Sequence, residues 1–377
     1  MPKDTISDVS KKEHGQFNTT NVDYILSGMK LRYKPKKIVE PCYGDGDLIK
    51  FIKNTYSKDI KIIEKYDIDP SKDAITQDTL LKPINYTNSL LMMNPPYLSN
   101  VQNKLDSNKQ HYKTFKRDDL YKCYIQTMIN IPPVEFMIII PLNFLCSIRK
   151  NDQNLRKEFF NIFKIQLINI FNEQVFSDTT YNVCAIHGIL NKLKTKTTTL
   201  KSYKIKTIIY PEKKKIQISL NEENNYCIGG EIYNIPIDKT LVIDRAVGLS
   251  NVNVSNLYLK TIDDNANGTT EQKISLSIKD HPEENIFFGK ISDRSYCYIK
   301  LNPMKSLKIQ EKIVALFNEN MNNWRVKYDS LFLTNFRDKG RKRISFELGY
   351  RIINHCYTLI DDESDKDEGD EDKDEKK

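Results

Sequence analysis

Asn94-Pro95-Pro96-Tyr97 follows a short apolar run, Leu90-Leu91-Met92-Met93, and these residue types suit one demanding piece of chemistry, the activation of an amino group on a planar ring. Such a nitrogen is a poor nucleophile because its lone pair is delocalised into the ring. If the Asn94 side-chain carbonyl and the Pro95 backbone carbonyl each accept one of its N–H bonds, the nitrogen is drawn toward tetrahedral geometry. Its lone pair is then free for in-line attack, and no strong general base is needed before the bond forms. Two consecutive prolines, Pro95 and Pro96, cannot continue a sheet, so they fix a rigid turn that presents these groups. Tyr97 supplies a flat face on which a base can stack.

An earlier loop, Glu40-Pro41-Cys42-Tyr43-Gly44-Asp45-Gly46-Asp47, carries two glycines one residue apart, which let backbone pass close under a ligand. No third glycine follows at the dinucleotide spacing, and there is no Gly-Lys-Ser/Thr for a nucleotide phosphate. The acids of this loop repel phosphate and suit a ligand with positive charge. Downstream, a carboxylate at Asp67 or Asp69 is placed to accept from both hydroxyls of a ribose, and Asp78 from an adenine amino group. Each acid alone reads first as a solvated loop residue or a helix cap; their order and spacing raise the joint case.

The elements that must position these residues follow from periodicity. Residues 37–40 read as a strand, the glycine turn leads into an amphipathic helix over 48–52, and residues 60–66 read as a second strand stopped by Asp67-Ile68-Asp69-Pro70. Further strands are predicted at 90–93, 136–140 and 183–189, with helices at 120–131 and 155–163. Alternation of this kind implies a doubly wound α/β sheet whose ligands bind at the carboxyl ends of the strands. After residue 191 the texture changes to Lys/Thr-rich alternation and then turn-rich stretches, which predicts a second, β-containing domain, with helical periodicity returning at 306–324 and 344–357.

On these motifs, and over most of residues 10–190, the chain resembles the N6-adenine DNA methyltransferases of restriction–modification systems. His14-Gly15-Gln16-Phe17-Asn18-Thr19-Thr20 is similar to the family's N-terminal motif, which implies that Phe17 and Thr19 touch the methionine end of S-adenosylmethionine; Thr20 stands where a proline is usual. Glu40, Pro41, Gly44 and Gly46 resemble the cofactor loop, Asp67 the ribose-binding acid, Asp78 the adenine-binding acid, and Asn94 to Tyr97 the catalytic motif. Phe176 falls where the family carries an aromatic that stacks on the flipped adenine; Tyr181 is the alternative, and core packing is a third reading. The motif order implies a Rossmann-like S-adenosylmethionine-dependent methyltransferase sheet in residues 1–190 and a target-recognition, DNA-binding region in 191–360. The implied activity is methyl transfer to adenine N6 in a short double-stranded sequence, protecting DNA from a cognate restriction endonuclease, by a monomer. Cytosine N4, RNA adenine N6 and a protein glutamine are the alternative acceptors.

Charge agrees with a polyanion partner. The chain of 377 residues has a formal net charge of +8, yet its last seventeen residues hold eleven acids and four lysines, so the body of residues 1–360 stands at +15. The tail, 361–377, is expected to be disordered. A base inside a duplex cannot reach Asn94, so a duplex substrate has to be flipped out, and phosphate contacts offset that cost. The strongest local candidates for those contacts are Arg337, Lys339, Arg341, Lys342 and Arg343. A second group, Lys104, Lys109, Lys113, Lys116 and Arg117, is expected in a loop after the catalytic motif. Seven cysteines and five histidines are dispersed without metal-ligand spacing, so no metal site is expected and the thiols read as reduced. No signal sequence or membrane-spanning run is present, which points to a cytoplasmic protein.

Overall fold

The computed structural model describes residues 15, 19–56, 60–176, 181–191, 202–246, 253–263, 273–279, 292–337 and 341–371, with side chains at 202, 335–337, 341 and 361–371 left aside. By its internal contacts the chain divides into two units, Met1–Cys227 with Phe336–Lys339, and Ile228–Asn335 with Gly340–Lys377.

The first unit runs through a single-turn helix α1 (Val22–Ile25), β1 (Lys37–Glu40), α2 (Asp47–Tyr56), β2 (Ile62–Asp67), the two-residue β3 (Ile75–Thr76) and β4 (Leu90–Met93). Helices α3 (Asp106–Phe115) and α4 (Leu120–Asn130) lead to β5 (Glu135–Pro141). The short α5 (Asn143–Cys146) and α6 (Lys150–Ile162) then lead to β6 (Phe163–Phe171), β7 (Val183–Leu190), β8 (Ser202–Tyr210) and β9 (Lys214–Asn221). The strands form one nine-stranded sheet in the order β3-β2-β1-β4-β5-β7-β6-β8-β9. Pairing is parallel from β3 to β5 and antiparallel where β7 meets β5 and β6. β4 and β5 are buried at every position, the pattern of strands covered on both faces. Helix α2 turns Leu48, Ile49 and Ile52 inward, as its 3.6-residue spacing requires. This is the expected Rossmann-like α/β sheet. Because the chain builds outward from β1 to β2 and β3 and then returns to place β4 on the other side, strand order reverses between β1 and β4. In open α/β sheets ligands bind in the crevice outside the carboxyl ends of the strands at such a reversal.

Three expectations need correction. The first unit ends at Cys227 rather than at residue 190: the Lys/Thr-rich stretch contributes β8 and β9, which extend the same sheet through parallel β6–β8 pairing. The stretch expected as a loop after Tyr97 is largely helical, α3, and buries Asn108, His111 and Tyr112 on its inner face. The helix predicted over 155–163 starts five residues earlier and ends at Ile162, where β6 begins.

The second unit has a four-stranded antiparallel sheet, order β10-β14-β11-β13, from β10 (Val242–Arg245), β11 (Val254–Lys260), β13 (Ser275–Ile278) and β14 (Tyr296–Asn302). A small sheet joins β12 (Ile262–Asp263), β16 (Arg341–Arg343) and β15 (Thr334–Arg337). Leu257, Leu259, Ile299 and Leu301 pack with Ile313 and Phe317 of α7 (Leu307–Tyr328) and with Ile352 and Ile353 of α8 (Phe346–Glu371). Ser306 caps α7 by accepting from the Ile309 N–H, and the Ser345 hydroxyl accepts from Leu348 N–H at 3.1 Å at the start of α8. Helix α8 continues to Glu371, into the acidic stretch expected to be disordered; once a helix is nucleated each further residue adds its own backbone bond. Residues 372–377 lie outside the described residues. Among the described residues no helix is long and apolar enough to cross a membrane.

Candidate active site

The glycine loop, Asp67, Asp78 and the Asn94 turn lie at or just after the carboxyl ends of β1, β2, β3 and β4, around the strand-order reversal. Glu40 closes β1 and is 1% exposed, and its Oε2 has no hydrogen-bond partner among the described residues. Burial, with the Asp47 and Asp67 carboxylates adding to it, pushes the Glu40 carboxyl well above the usual carboxylate range. The loop that follows is tied down by its backbone: Tyr43 N–H donates to the Tyr66 carbonyl and Gly46 N–H to the Tyr43 carbonyl, both at 2.9 Å. Gly44 has φ +55°, and a Cβ there meets nothing within 4 Å, so its missing side chain opens onto free space above the loop.

Asp67, 5% exposed, ends β2. Its Oδ2 accepts from Gly44 N–H at 2.8 Å and its Oδ1 from Asp69 N–H at 2.9 Å, so the acid expected at a ribose also locks the glycine loop to the β2 turn. Each oxygen retains a second acceptor site. Asp69 accepts from Ser71 N–H at 2.9 Å. Asp78 is more constrained than its sequence context suggests. Oδ1 accepts from the Leu80 and Leu81 amides at 2.9 and 3.1 Å, and Oδ2 pairs with Nε2 of the buried His111 at 3.0 Å. Partial burial raises the Asp78 carboxyl, but the His111 bond and the two amides outweigh it and hold the group below its ordinary value.

Asn94 leaves β4 at 9% exposure, and its amide is held at both ends. Nδ2 donates to Thr19 Oγ1 at 2.8 Å; the Tyr97 hydroxyl lies 2.6 Å from Oδ1 and 3.0 Å from the Ile139 carbonyl on β5. Burial pushes the Tyr97 phenol well above its ordinary value, so it stays protonated and serves as a donor. Pro95 is buried and Pro96 partly so. Tyr97 N–H donates to the Gly15 carbonyl at 2.9 Å. Gly15 has φ +67°, and a Cβ there would come within 2.7 Å of the Tyr97 carbonyl oxygen, so only glycine allows the two backbones to meet. Thr19, expected at the cofactor, thus touches the Asn94 amide, and Gly15 and Thr19 buttress the Asn94–Tyr97 turn.

Of the remaining predicted residues, those that are described fall outside this cluster, Tyr97 excepted. Phe17 and Lys339 lie outside the described residues. Phe176 is 1% exposed and offers no free ring face in this structure, whereas Tyr181 stands edge-on to Tyr97 with ring centroids 6.1 Å apart. Tyr97 itself is 3% exposed, with Tyr121 edge-on at 6.2 Å, so its ring is enclosed rather than open for stacking. Arg337 ends β15; Arg341, Lys342 and Arg343 form β16, where Lys342 and Arg343 pair in register with Asp263 and Ile262. Lys342 is partly buried and Arg343 exposed. Sequence reasoning missed His111 and Asp119, and gave Gly15, quoted within the N-terminal motif, no role of its own. The Asp119 carboxylate accepts from Leu98 N–H at 3.1 Å directly after the catalytic motif, and withdrawal from solvent, with Asp118 beside it, raises its carboxyl to about 7 despite the opposing Lys122.

The fold and the crevice define the class as a Rossmann-like α/β chain with a side-chain amide presented at the strand-order reversal. Scans against protein-family models and curated proteins return no match. Among solved structures the chain is similar to a modification subunit assigned to a type I restriction enzyme of Vibrio vulnificus, at 12% identity and TM-score 0.40 over 53% of this chain and 49% of that one. It is also similar to the type IIG restriction endonuclease BpuSI (12%, TM-score 0.39, 67% of this chain and 38% of that one). A type I restriction-modification methyltransferase subunit from Streptococcus thermophilus follows at 14% and TM-score 0.35, over 58% and 52%. The chain therefore spans about half or less of the length of these structures.

Proposed function

We propose that the chain transfers a methyl group from S-adenosylmethionine to adenine N6 in double-stranded DNA, as the modification enzyme of a restriction–modification system. One observation carries this: the Asn94 amide, on the turn that leaves β4, is oriented by Thr19 at Nδ2 and by a protonated Tyr97 at Oδ1, so its carbonyl is held in one direction for an N–H acceptor role. With the Pro95 carbonyl as second acceptor, a planar amino group is held by two acceptors on one rigid turn. Tyr97 acts as a positioning residue, not a base.

The residues of the crevice fit the cofactor. A buried carboxyl, Glu40, lacks a partner for Oε2 and sits beside two other carboxylates, an arrangement that a cationic ligand complements. The open space over Gly44 admits a ligand close to the backbone, Asp67 has acceptor capacity for ribose hydroxyls, and Asp78 is held ionised for an adenine amino group. When bound, S-adenosylmethionine supplies an electrophilic methyl group on a sulfonium.

The test is transfer of tritium from labelled S-adenosylmethionine to DNA, RNA and protein, with Asn94→Ala as control. Label in duplex DNA at adenine N6, lost by at least about a hundredfold in the variant, is expected. Label in protein or RNA but not in DNA overturns the DNA assignment, and label at cytosine N4 overturns the adenine one.

A further inference from the structure

Helix α3 and the turn after it line an open pocket of about 390 Å³, which gathers Lys109, Lys113, Lys116 and Arg117 of the second basic group read in the sequence. Its lining includes Lys109, Lys113, Lys116, Arg117, Asn100 and Asn151, with Asp118 as the one acid. The charges in it are unequally committed. Lys109 pairs with Asp106 at 2.7 Å, and the Arg117 guanidinium is fixed by Gln126, Asn151 and Glu158. Asp118 is itself neutralised by Lys122 at 2.7 Å and Arg149 at 3.4 Å. Lys113 and Lys116 are exposed and make no ion pair among the described residues. The Asn151 amide is committed to the Lys116 carbonyl at 3.2 Å, so the donors the pocket keeps for an anion are chiefly the two ammonium groups, which make no ion pair among the described residues.

Its wall is stitched to the catalytic turn. The Tyr112 hydroxyl donates to the Leu98 carbonyl at 2.9 Å, Leu120 N–H donates to the same carbonyl at 3.1 Å, and Asn100 N–H donates to the Asp118 carbonyl at 2.9 Å. Leu98 immediately follows Tyr97, so an anion held here keeps a fixed distance from Asn94.

We propose that this pocket binds a backbone phosphodiester of the DNA substrate through Lys113 and Lys116, and so sets the register of the strand whose base enters the crevice. This rests on the DNA-methyltransferase reading and deepens it. Each lysine that neutralises a phosphate releases condensed counterions, so the contact is readable as salt dependence.

The experiment uses the full chain, its Lys113→Ala/Lys116→Ala variant and the charge-preserving Lys113→Arg/Lys116→Arg variant. Duplex DNA affinity is measured by fluorescence anisotropy across salt concentrations, S-adenosylmethionine affinity and inorganic phosphate binding by calorimetry. The alanine variant is expected to lower the slope of log affinity against log salt by about 2 and to raise KM for DNA, with cofactor affinity unchanged and the arginine variant near wild type. An unchanged slope, in an alanine variant that binds cofactor normally and a wild type that methylates DNA, overturns the pocket while leaving the methyltransferase reading standing. Loss of phosphate binding with an unchanged DNA slope marks a site for a free anion and also overturns it. A wild type that methylates RNA or protein and shows no salt-dependent DNA binding overturns both.

Discussion

The Tyr97 hydroxyl sits 2.6 Å from Asn94 Oδ1, three residues back along the same turn, while Thr19 Oγ1 takes the amide's other end at 2.8 Å. Two residues from opposite sides of the catalytic loop therefore determine which way the amide faces. Tyr97→Phe keeps the ring and removes only the donor, so kcat is expected to fall about tenfold, the worth of one hydrogen bond of about 1.4 kcal/mol, with KM for the cofactor unchanged. Thr19→Val removes the hydroxyl that accepts from Asn94 Nδ2 and is expected to cost more, whereas Thr19→Ser restores the acceptor and most of kcat. Steady-state kinetics check both; equal losses in the serine and valine variants would remove Thr19 from this role.

Gly44 and Gly15 both adopt positive φ, but their surroundings differ. A Cβ at Gly44 enters empty space over the crevice; one at Gly15 strikes the Tyr97 carbonyl oxygen at 2.7 Å. Gly44→Ala is expected to cost only about 1 kcal/mol of stability from the left-handed backbone, while weakening S-adenosylmethionine binding about tenfold or more. Gly15→Ala adds a backbone clash and is expected to cost about 2 kcal/mol or more, displacing the Asn94 turn and reducing turnover without a matching loss of cofactor affinity. Thermal denaturation and calorimetry separate the two patterns.

Asn94-Pro95-Pro96-Tyr97 and the Gly44/Gly46 loop were legible because their chemistry is local: adjacent residues create the turn and point it out of a strand. Gly15 and His111 were not, since their partners lie 82 and 33 positions away, Tyr97 and Asp78, and no periodicity marks such a pair. Phe176 shows the limit from the other side. A position in a motif order does not reveal whether an aromatic faces a crevice or the core, and Phe176 is 1% exposed. The β8–β9 hairpin was hidden by its lysines: along β9 they occupy exposed edge positions, so the stretch reads as polar although Ile218 and Leu220 face inward.

His111 holds Asp78 ionised against burial. His111→Ala removes the Oδ2 partner and leaves two amides to oppose desolvation, so the carboxyl moves up. S-adenosylmethionine binding, which uses the ionised form in the proposed role, is then expected to be lost at a higher pH than in wild type as acid is added. Calorimetric titration between about pH 3 and pH 6 checks the shift, and a parallel pair of curves would assign His111 to packing alone.

Asp119 gives the stability of the first unit a pH dependence of unusual sign. Its carboxyl is raised to about 7, chiefly by withdrawal from solvent, so between the ordinary aspartate value near 4 and pH 7 the folded chain holds a proton that the unfolded chain has released. The unfolded state binds fewer protons in that window, and stability from this group falls as pH rises, with a limiting slope of about 1.4 kcal/mol per pH unit. Below about pH 4 both states are protonated and the contribution is fully present; above about 7 it is gone. Asp119→Asn is neutral at every pH and keeps an oxygen to accept the Leu98 N–H. The difference in unfolding free energy, variant minus wild type, is therefore expected to grow with pH from about 4 to about 7 and then level off. Denaturant titrations at closely spaced pH values read that difference, and a flat line across the window would mean that Asp119 is ionised in the folded chain.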